Sequence, residues 1–328
     1  MKKFYKPLAI VAAFALSIFF ASCEMAHAEK IAGRTVLRIV NWNTETFFDA
    51  VAEGNEYSEF ISANSRWNEA KYKTRVARLC DTMQTLDADV YVFEEIENES
   101  VLLDIGNQFA SRSWDKKNWK YACFAKIPGD AIGCAIVSRF PLCNLTSHAL
   151  DIRTADEQPS MRPILQVSVL VGKKELRIFV NHWKSKLGGK EKTEVWRNWQ
   201  ESNLSRLLSR SAPSPSLSCG DFNRTISDFS ESADAYSIVL RSSLFGENES
   251  LAVTSPWFWE ESENYYSYFY QGEGERIDHF FFSGDIQAES FRVENDGAWA
   301  KDGMPYRYTL YSGEGFSDHF PISTIVSF

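Results

Sequence analysis

The sequence predicts an α/β (α+β) protein made of two mixed β-sheets packed face to face, with helices outside. Three observations predict it. Strand-like apolar runs and amphipathic helical patterns alternate along the chain. Several successive strand runs are joined by connections short enough for hairpins, so a purely parallel sheet does not fit. The 328 residues are 44% hydrophobic and 14% aromatic, enough to bury a large core without disulfides. With 17 Gly and 10 Pro, the chain is neither collagen-like nor disordered.

The N-terminal segment reads as an address rather than as fold. Lys2, Lys3 and Lys6 precede an apolar run from Leu8 to Ala21, too short for a comfortable membrane span. Two processing sites are open. Ala26-His27-Ala28 suits a signal peptidase. Phe20-Ala21-Ser22-Cys23 resembles a bacterial lipobox, with Cys23 as the lipidated residue and a means of membrane attachment. The expectation is an exported protein, secreted, periplasmic or lipid-anchored in the envelope. Residues 1–28 are then the signal, and 29–328 form a single domain. No internal repeat or long linker divides that domain, and the breaker Ala212-Pro213-Ser214-Pro215 is too short to do so.

Within the domain, Thr35 to Trp42 reads as a buried strand. Residues 67–86 read as a helix, because Tyr72, Val76, Leu79, Met83 and Leu86 repeat at three or four. Asp89 to Glu94 is a second strand and 99–111 a shorter helix. Residues 119–126, 133–138, 144–151, 163–171 and 174–181 are strand candidates. Residues 193–210 form a helix with Trp196, Trp199, Leu204, Leu207 and Leu208 on one broad face. Ser216 to Cys219, Arg276 to Ser283 and Ile322 to Phe328 are further strands.

Export permits disulfides. A bridge among Cys123, Cys134 and Cys143 competes with buried free thiols, the reading that also suits Cys80 and Cys219. No CxxC or His-x-His spacing suggests zinc. The balance of 35 Lys+Arg against 44 Asp+Glu gives a formal charge of −9. That argues against a protein held to nucleic acid by net charge, but not against a local basic groove.

Short blocks at strand ends carry the chemistry. Asn41-Trp42-Asn43 closes the first strand, where an amide can hold a phosphate oxygen or a metal-bound water, or simply make a turn. Glu94-Glu95 closes the second. Neighbouring strand residues point to opposite faces, so only one of the two can aim into a given site. A hard divalent cation needs such a carboxylate. Asn181-His182-Trp183-Lys184-Ser185-Lys186 delivers an imidazole able to exchange protons near neutrality, then two cations able to hold phosphate. Gly220-Asp221-Phe222-Asn223 alternates polar and apolar, so Asp221 and Asn223 can share a face. Arg276-Ile277-Asp278-His279 and Ser317-Asp318-His319-Phe320-Pro321 each set Asp beside His, where Asp can orient an imidazole or bind a metal.

This ordered set resembles the endonuclease/exonuclease/phosphatase superfamily, which contains deoxyribonuclease I. With Tyr266-Ser267-Tyr268 ahead of Arg276, it looks closest to the bacterial secreted nucleases of that superfamily. The resemblance covers residues 35 to 328 and implies a four-layer sandwich. It implies Glu95 as the main metal ligand, with Asn43 and Asp318 beside the cation. It implies that His182 protonates the leaving oxygen or holds the phosphate, and that Asp221 and Asn223 orient the attacking water and the scissile phosphate. His319 resembles the second catalytic histidine, oriented by Asp278. Arg162 matches a phosphate-contacting arginine, and Lys184 and Lys186 are placed to touch phosphates. Arg139 lies in a recurrent Ser-Arg-Phe-Pro segment. Relatives often carry Gln where Glu94 stands, so Glu94 either adds a carboxylate near the cation or faces away. The carboxylate that orients the first histidine in deoxyribonuclease I has Asp130 in the corresponding loop, with Ile132 at the nearest aligned position. His279, where some relatives have Tyr, reads as packing.

The implied cofactor is Mg2+, with Mn2+ or Ca2+ as alternatives, and the implied partner is a nucleic acid substrate acted on by a monomer. The expected activity is a metal-dependent phosphodiesterase, a nuclease for DNA and for RNA. Two readings compete. One is a phosphatase or phospholipid phosphodiesterase, sphingomyelinase-like or directed at inositol phosphates, for which Trp257-Phe258-Trp259 would be a membrane-touching tip. The other is an inactive surface-binding lipoprotein.

Overall fold

The computed structural model describes residues 29–31, 33–111, 119–150, 158–242, 250–259 and 265–328. Both expected processing sites, Cys23 and Ala28, lie outside the described residues.

The first half of the chain supplies strands β1 (Glu29–Ile31), β2 (Arg34–Phe47), β3 (Val90–Ile96), β4 (Tyr121–Ala125), β5 (Gly133–Ser138), β6 (Leu142–His148), β7 (Ile164–Val171) and β8 (Lys174–His182). The second half supplies β9 (Ser216–Asp221), β10 (Ser230–Glu231), β11 (Ser237–Leu240), β12 (Leu251–Thr254), β13 (Tyr268–Tyr270) and β14 (Glu273–Glu275). It ends with β15 (Asp278–Ser283), β16 (Gln287–Val293), β17 (Ala300–Lys301), β18 (Met304–Pro305) and β19 (Ile322–Ser327). The helices are α1 (Ser58–Ile61), α2 (Glu69–Leu86), α3 (Glu99–Ser111) and α4 (Lys190–Ser211).

Two sheets form the sandwich. One runs β16-β19-β2-β3-β5-β4, with β1 added beside β2, and the other runs β10-β11-β12-β15-β9-β8-β7-β6. Each is antiparallel except for one pair, β2 with β3 and β8 with β9. The mixed character expected from the hairpins is therefore present, with one parallel pair in each sheet. The inner faces share one core, which also takes in the apolar sides of α2 and α3. A second cluster packs Leu204, Leu207 and Leu208 of α4 against Phe179, Phe222 and Phe281 of the other sheet. Helices thus cover both outer faces, and the predicted four layers are present.

The longer elements follow from local chemistry. Helix α2 starts where the Asn68 side chain accepts the Lys71 N–H at 3.1 Å, and it ends where Asp87 turns left-handed at φ 48°. Its buried face holds Tyr72, Val76, Leu79, Met83 and Leu86, the predicted stripe. Helix α4 departs from expectation. Its C-terminal half buries the predicted leucines, but Trp196 and Trp199 are only partly buried and pack edge to face on each other. The buried positions there are Thr193, Arg197, Gln200 and Glu201, so the inward face at that end is polar. Among the described residues none of the five cysteines is in a disulfide: Cys80, Cys123, Cys134 and Cys219 are buried and Cys143 is partly so. The free-thiol reading holds, and burial pushes the Cys123 thiol up to about 12.

What matters for function is where the parallel pairs end. In register, Asn43 stands opposite Glu94 and His182 opposite Asp221, while Asp278 pairs with Asp221 from the other side. Gly220 makes that meeting close. It lies opposite Asn181 with φ 136°, and a Cβ there would fall 1.8 Å from the Asn181 carbonyl oxygen. Gly220→Ala is expected to cost about 3 kcal/mol of stability through forced backbone displacement. A lowered urea midpoint with an unchanged slope would show it.

Candidate active site

The site is built from strand ends. At the end of β3 the backbone bulges between Glu94 and Ile96, and Glu95 takes a left-handed φ of 65°. Such a conformation costs a non-glycine residue about 1 kcal/mol or more and persists only where the surroundings enforce it. Here it separates two adjacent carboxylates. Glu94 keeps its strand position and is fully buried between the sheets, where Asn41 Nδ2 reaches it at 3.3 Å. Burial, helped by Asp278 and Asp221, pushes it well above the usual carboxylate range. Glu94 thus shares the face of Asn43, buried beneath the site and within electrostatic reach of Asp221 and Asp278.

Glu95 turns toward the other sheet. Its Oε2 accepts the Thr46 N–H at 2.7 Å and its Oε1 the Asn43 Nδ2 at 3.3 Å. The same Asn43 Nδ2 lies 3.2 Å from Asp221 Oδ2, which joins the two sheets. His182 completes the group, its Nε2 3.6 Å from Glu95 and 3.7 Å from Asp221. Its Nδ1 is buried with no hydrogen-bond partner among the described residues. Neither sequence candidate for an orienting carboxylate meets it: Asp130 accepts from Ser160 at an exposed site and Ile132 is buried in a separate cluster.

On the far side His319 Nδ1 meets Asp278 Oδ2 at 2.9 Å, the pairing its neighbourhood in sequence suggested. Ser317 Oγ donates to the Asn43 carbonyl at 2.7 Å and accepts the His319 N–H, which ties this segment to β2. Trp42 Nε1 donates to the His319 carbonyl at 2.9 Å. Asn223 has a left-handed φ of 49°, gives its N–H to Asp221 Oδ1 and its amide to the Trp183 carbonyl.

The two imidazoles are pushed in opposite directions. Burial holds His182 well below its ordinary value, reinforced by Arg162, His319 and Lys184, and together these outweigh the nearby carboxylates. Burial would lower His319 as well, but Asp278, Asp318 and Asp221 prevail and hold it well above. Asp221 is raised by burial to about 7, against the pull of His319. Arg162 reaches the Tyr57 hydroxyl, and its charge bears on both His182 and Lys184. Lys186 does not point freely: its ammonium meets Glu275 at 2.6 Å. Lys174 is farther still, about 26 Å along β8 from His182, and donates to the Phe328 carbonyl. Arg139 is structural, pairing with Asp87 and Asp89 and stacking on Trp119.

Two groups had no signal in the sequence. Glu45 is raised to about 7 by burial and by Asp318, and Arg307 bridges the pair, 2.6 Å from Glu45 and 3.6 Å from Asp318. Glu95 in turn raises Asp318, which burial has already raised. Oxygen donors that disfavour one another's charge suit a hard cation, which would relieve the repulsion. Among the described residues no three His, Cys, Asp or Glu side chains form a ready-made metal cage. One or two carboxylates completed by water and phosphate is, however, how magnesium is usually held. The donor set fits.

The polar end of α4 holds this side of the site in place. Gln200 accepts the Lys184 N–H at 2.8 Å, and Arg197 donates to the carbonyls of Lys184 and Lys190. Arg224, directly after Asn223, is fully buried and paired with Glu201 at 2.6 Å and with Glu194. Its carbonyl lies 2.7 Å from His279 Nε2. His279 packs among Phe222, Phe229 and Phe281, as expected.

A profile of the endonuclease/exonuclease/phosphatase family matches residues 38–228. No curated protein matches the sequence. Among solved structures the chain is similar to TDP2 from Caenorhabditis elegans, at 14% identity and TM-score 0.57, over 89% of this chain and 74% of that one. It is similar to an endonuclease/exonuclease/phosphatase family protein from Bacteroides thetaiotaomicron, at 16% identity and TM-score 0.54, over 90% and 98%. It is also similar to D. rerio TDP2 complexed with a single-strand DNA product, at 14% identity and TM-score 0.52, over 89% and 98%. At these identities the likeness is one of fold.

His279 sets a pH response. Burial lowers it to about 4 in the folded protein, against an ordinary value near 6.5 when unfolded. The unfolded chain therefore binds the extra proton first, and the His279 share of stability falls from about pH 6.5 to about pH 4, then levels off. Urea unfolding across that range should show a shallower acid slope for His279→Phe than for the parent.

Proposed function

The chain belongs to the endonuclease/exonuclease/phosphatase family, and from that premise we propose that it is a metal-dependent phosphodiesterase that cleaves nucleic acid. The family makes it a hydrolase acting on phosphoester bonds, and enzymes of the family generally use divalent metals. The single observation that carries the finer reading is the meeting of Glu95, Asn43, His182 and Asp221 at one point between the sheets. Glu95, with Asn43 and Asp318, would hold magnesium. When bound, the cation neutralises part of the phosphodiester's charge and stabilises the charge that develops during cleavage.

The chain's own groups do the rest. Lys184 and Arg162 supply positive charge beside His182, which favours a phosphate over a neutral ester. Asn223 and Asp221 orient the reacting groups. Proton transfer is divided between His182 and His319 Nε2, whose proton affinities are pushed in opposite directions, the pattern of an acid–base pair. Asp278 fixes the His319 tautomer by occupying Nδ1. Nucleic acid is favoured because a structural neighbour, D. rerio TDP2, holds a single-strand DNA product. One observation favours a phospholipid: Phe258 and Trp259 are 40% and 45% exposed, although Trp257 is buried with its Nε1 on the Asp278 carbonyl.

Purified protein incubated with plasmid, RNA, sphingomyelin vesicles and inositol phosphates, each with magnesium or EDTA, tests the reading. Nucleic acid should be cut with magnesium and spared with EDTA. Hydrolysis of sphingomyelin or inositol phosphates with nucleic acid untouched would replace the proposal, and hydrolysis of none would leave a binding protein. His182→Ala should lower kcat on the order of 10²–10⁴; parental turnover by a folded variant would sink the assignment. Export belongs to the same proposal, and the mass of the native N-terminus distinguishes lipid on Cys23 from cleavage after Ala28.

A further inference from the structure

The hairpin β13–β14 has no part in the chemistry above, yet it stands against it. Tyr268 and Tyr270 are two apart on one strand and share a face. Their rings lie nearly parallel, 13° apart, with centroids separated by 6.3 Å. The Tyr268 ring is 4.6 Å from the His319 imidazole. Tyr270 is 48% exposed, and its hydroxyl accepts from the adjacent Gln271 side chain at 3.2 Å. Tyr270 thus extends outward from the His319–Tyr268 contact and leaves about half of its surface open.

The hairpin is also held firmly. The Phe269 N–H donates to the Asp318 carbonyl at 3.2 Å, and the Phe320 N–H to the Ser267 carbonyl at 2.7 Å. On the opposite face Phe269 packs on Tyr266, which packs on Phe320. Glu275, the cross-strand partner of Tyr268, holds Lys186. The rings are thus pinned to the segment that carries Asp318 and His319 and to the loop that follows His182.

We infer that Tyr268 and Tyr270 form a stacking platform for an unpaired nucleobase next to the scissile phosphodiester, so that the enzyme prefers single-stranded nucleic acid. The inference rests on the nuclease reading. Bases within a duplex are spaced at 3.4 Å and already covered on both faces, so a protein ring can lie on a base only where the stack ends or the strand is single. Stacking on an aromatic ring is tolerant of base identity, because every base has a π face. The platform would therefore choose strand state rather than sequence.

The test compares single-stranded oligothymidylate with an equally long abasic tetrahydrofuran phosphodiester oligomer, with magnesium. In the parent protein, kcat/KM for the base-bearing oligomer should exceed that for the abasic one on the order of tenfold. The ratio should fall to about one in Tyr270→Ala and in Tyr270→Leu, which keeps apolar bulk without a ring, and it should survive in Tyr270→Trp. A ratio unchanged in Tyr270→Ala, or near one in the parent while both oligomers are cut, overturns the platform and leaves the nuclease reading standing. If the parent cuts neither oligomer but hydrolyses sphingomyelin, both readings fall. Loss of that hydrolysis in Tyr270→Ala would then assign the rings to a choline headgroup.

Discussion

Two parallel strand pairs, one in each sheet, must end at the same edge of the sandwich. That constraint governs the rest of the molecule. It is expressed in the hydrogen bond of 3.2 Å from Asn43 of β2 to Asp221 of β9, a polar link across the apolar core that the two sheets share. Asp278 and His319 make a second polar crossing beside it. A slip of one residue in any of these strands would turn that strand's site side chains to the opposite face. Gly220 and the bulge at Glu95 are the local adjustments that let the ends meet.

Helix α4 shows how far the site reaches into the scaffold. Its inward face changes character along its length, leucines at one end and Arg197, Gln200 and Glu201 at the other. An apolar end would have packed equally well, and buried ion pairs are weak sources of net stability. The polar end instead fixes the backbone of Lys184 and the side chain of Arg224, and so the segments that carry His182 and Asn223. Breaking such a pair from one side costs about 3–5 kcal/mol, because a charge is left buried alone. The arrangement trades easy packing for a defined loop geometry.

Much of this was legible in the sequence, and the gaps have physical causes. The helices α2 and α3 and the central strands announced themselves by period, because each buries one continuous apolar stripe or face. Strands β11, β12 and β16 did not. The first two are too short for a pattern, and β16 lies at a sheet edge with much of its surface exposed. The tryptophans of α4 misled, since Trp196 and Trp199 satisfy one another at the surface. Of the site, the Asn, Glu, His and Asp residues were found because they stand at strand ends beside apolar runs. Glu45 and Arg307 were not, because their roles come from a contact across 262 positions that no local pattern encodes. Lys186 was read as free for phosphate because its partner, Glu275, is equally remote in sequence.

The buried acids alter what the charge count means. A formal charge of −9 treats every carboxyl as ionised. Burial raises Glu94 well out of the carboxylate range, Glu45 and Asp221 to about 7, and Glu97 to about 8. The folded molecule is therefore less anionic at neutrality than its composition states, and an approaching polyanion meets a weaker opposing field. The same groups shape the free-energy curve. When the chain unfolds Glu45, Asp221 and Glu97 regain ordinary acidity and release protons, so their cost to the fold accumulates from about pH 4 upward and levels off near pH 8. Assembling carboxylates at one buried edge thus makes mild acidity, rather than alkalinity, the condition in which these groups burden the fold least.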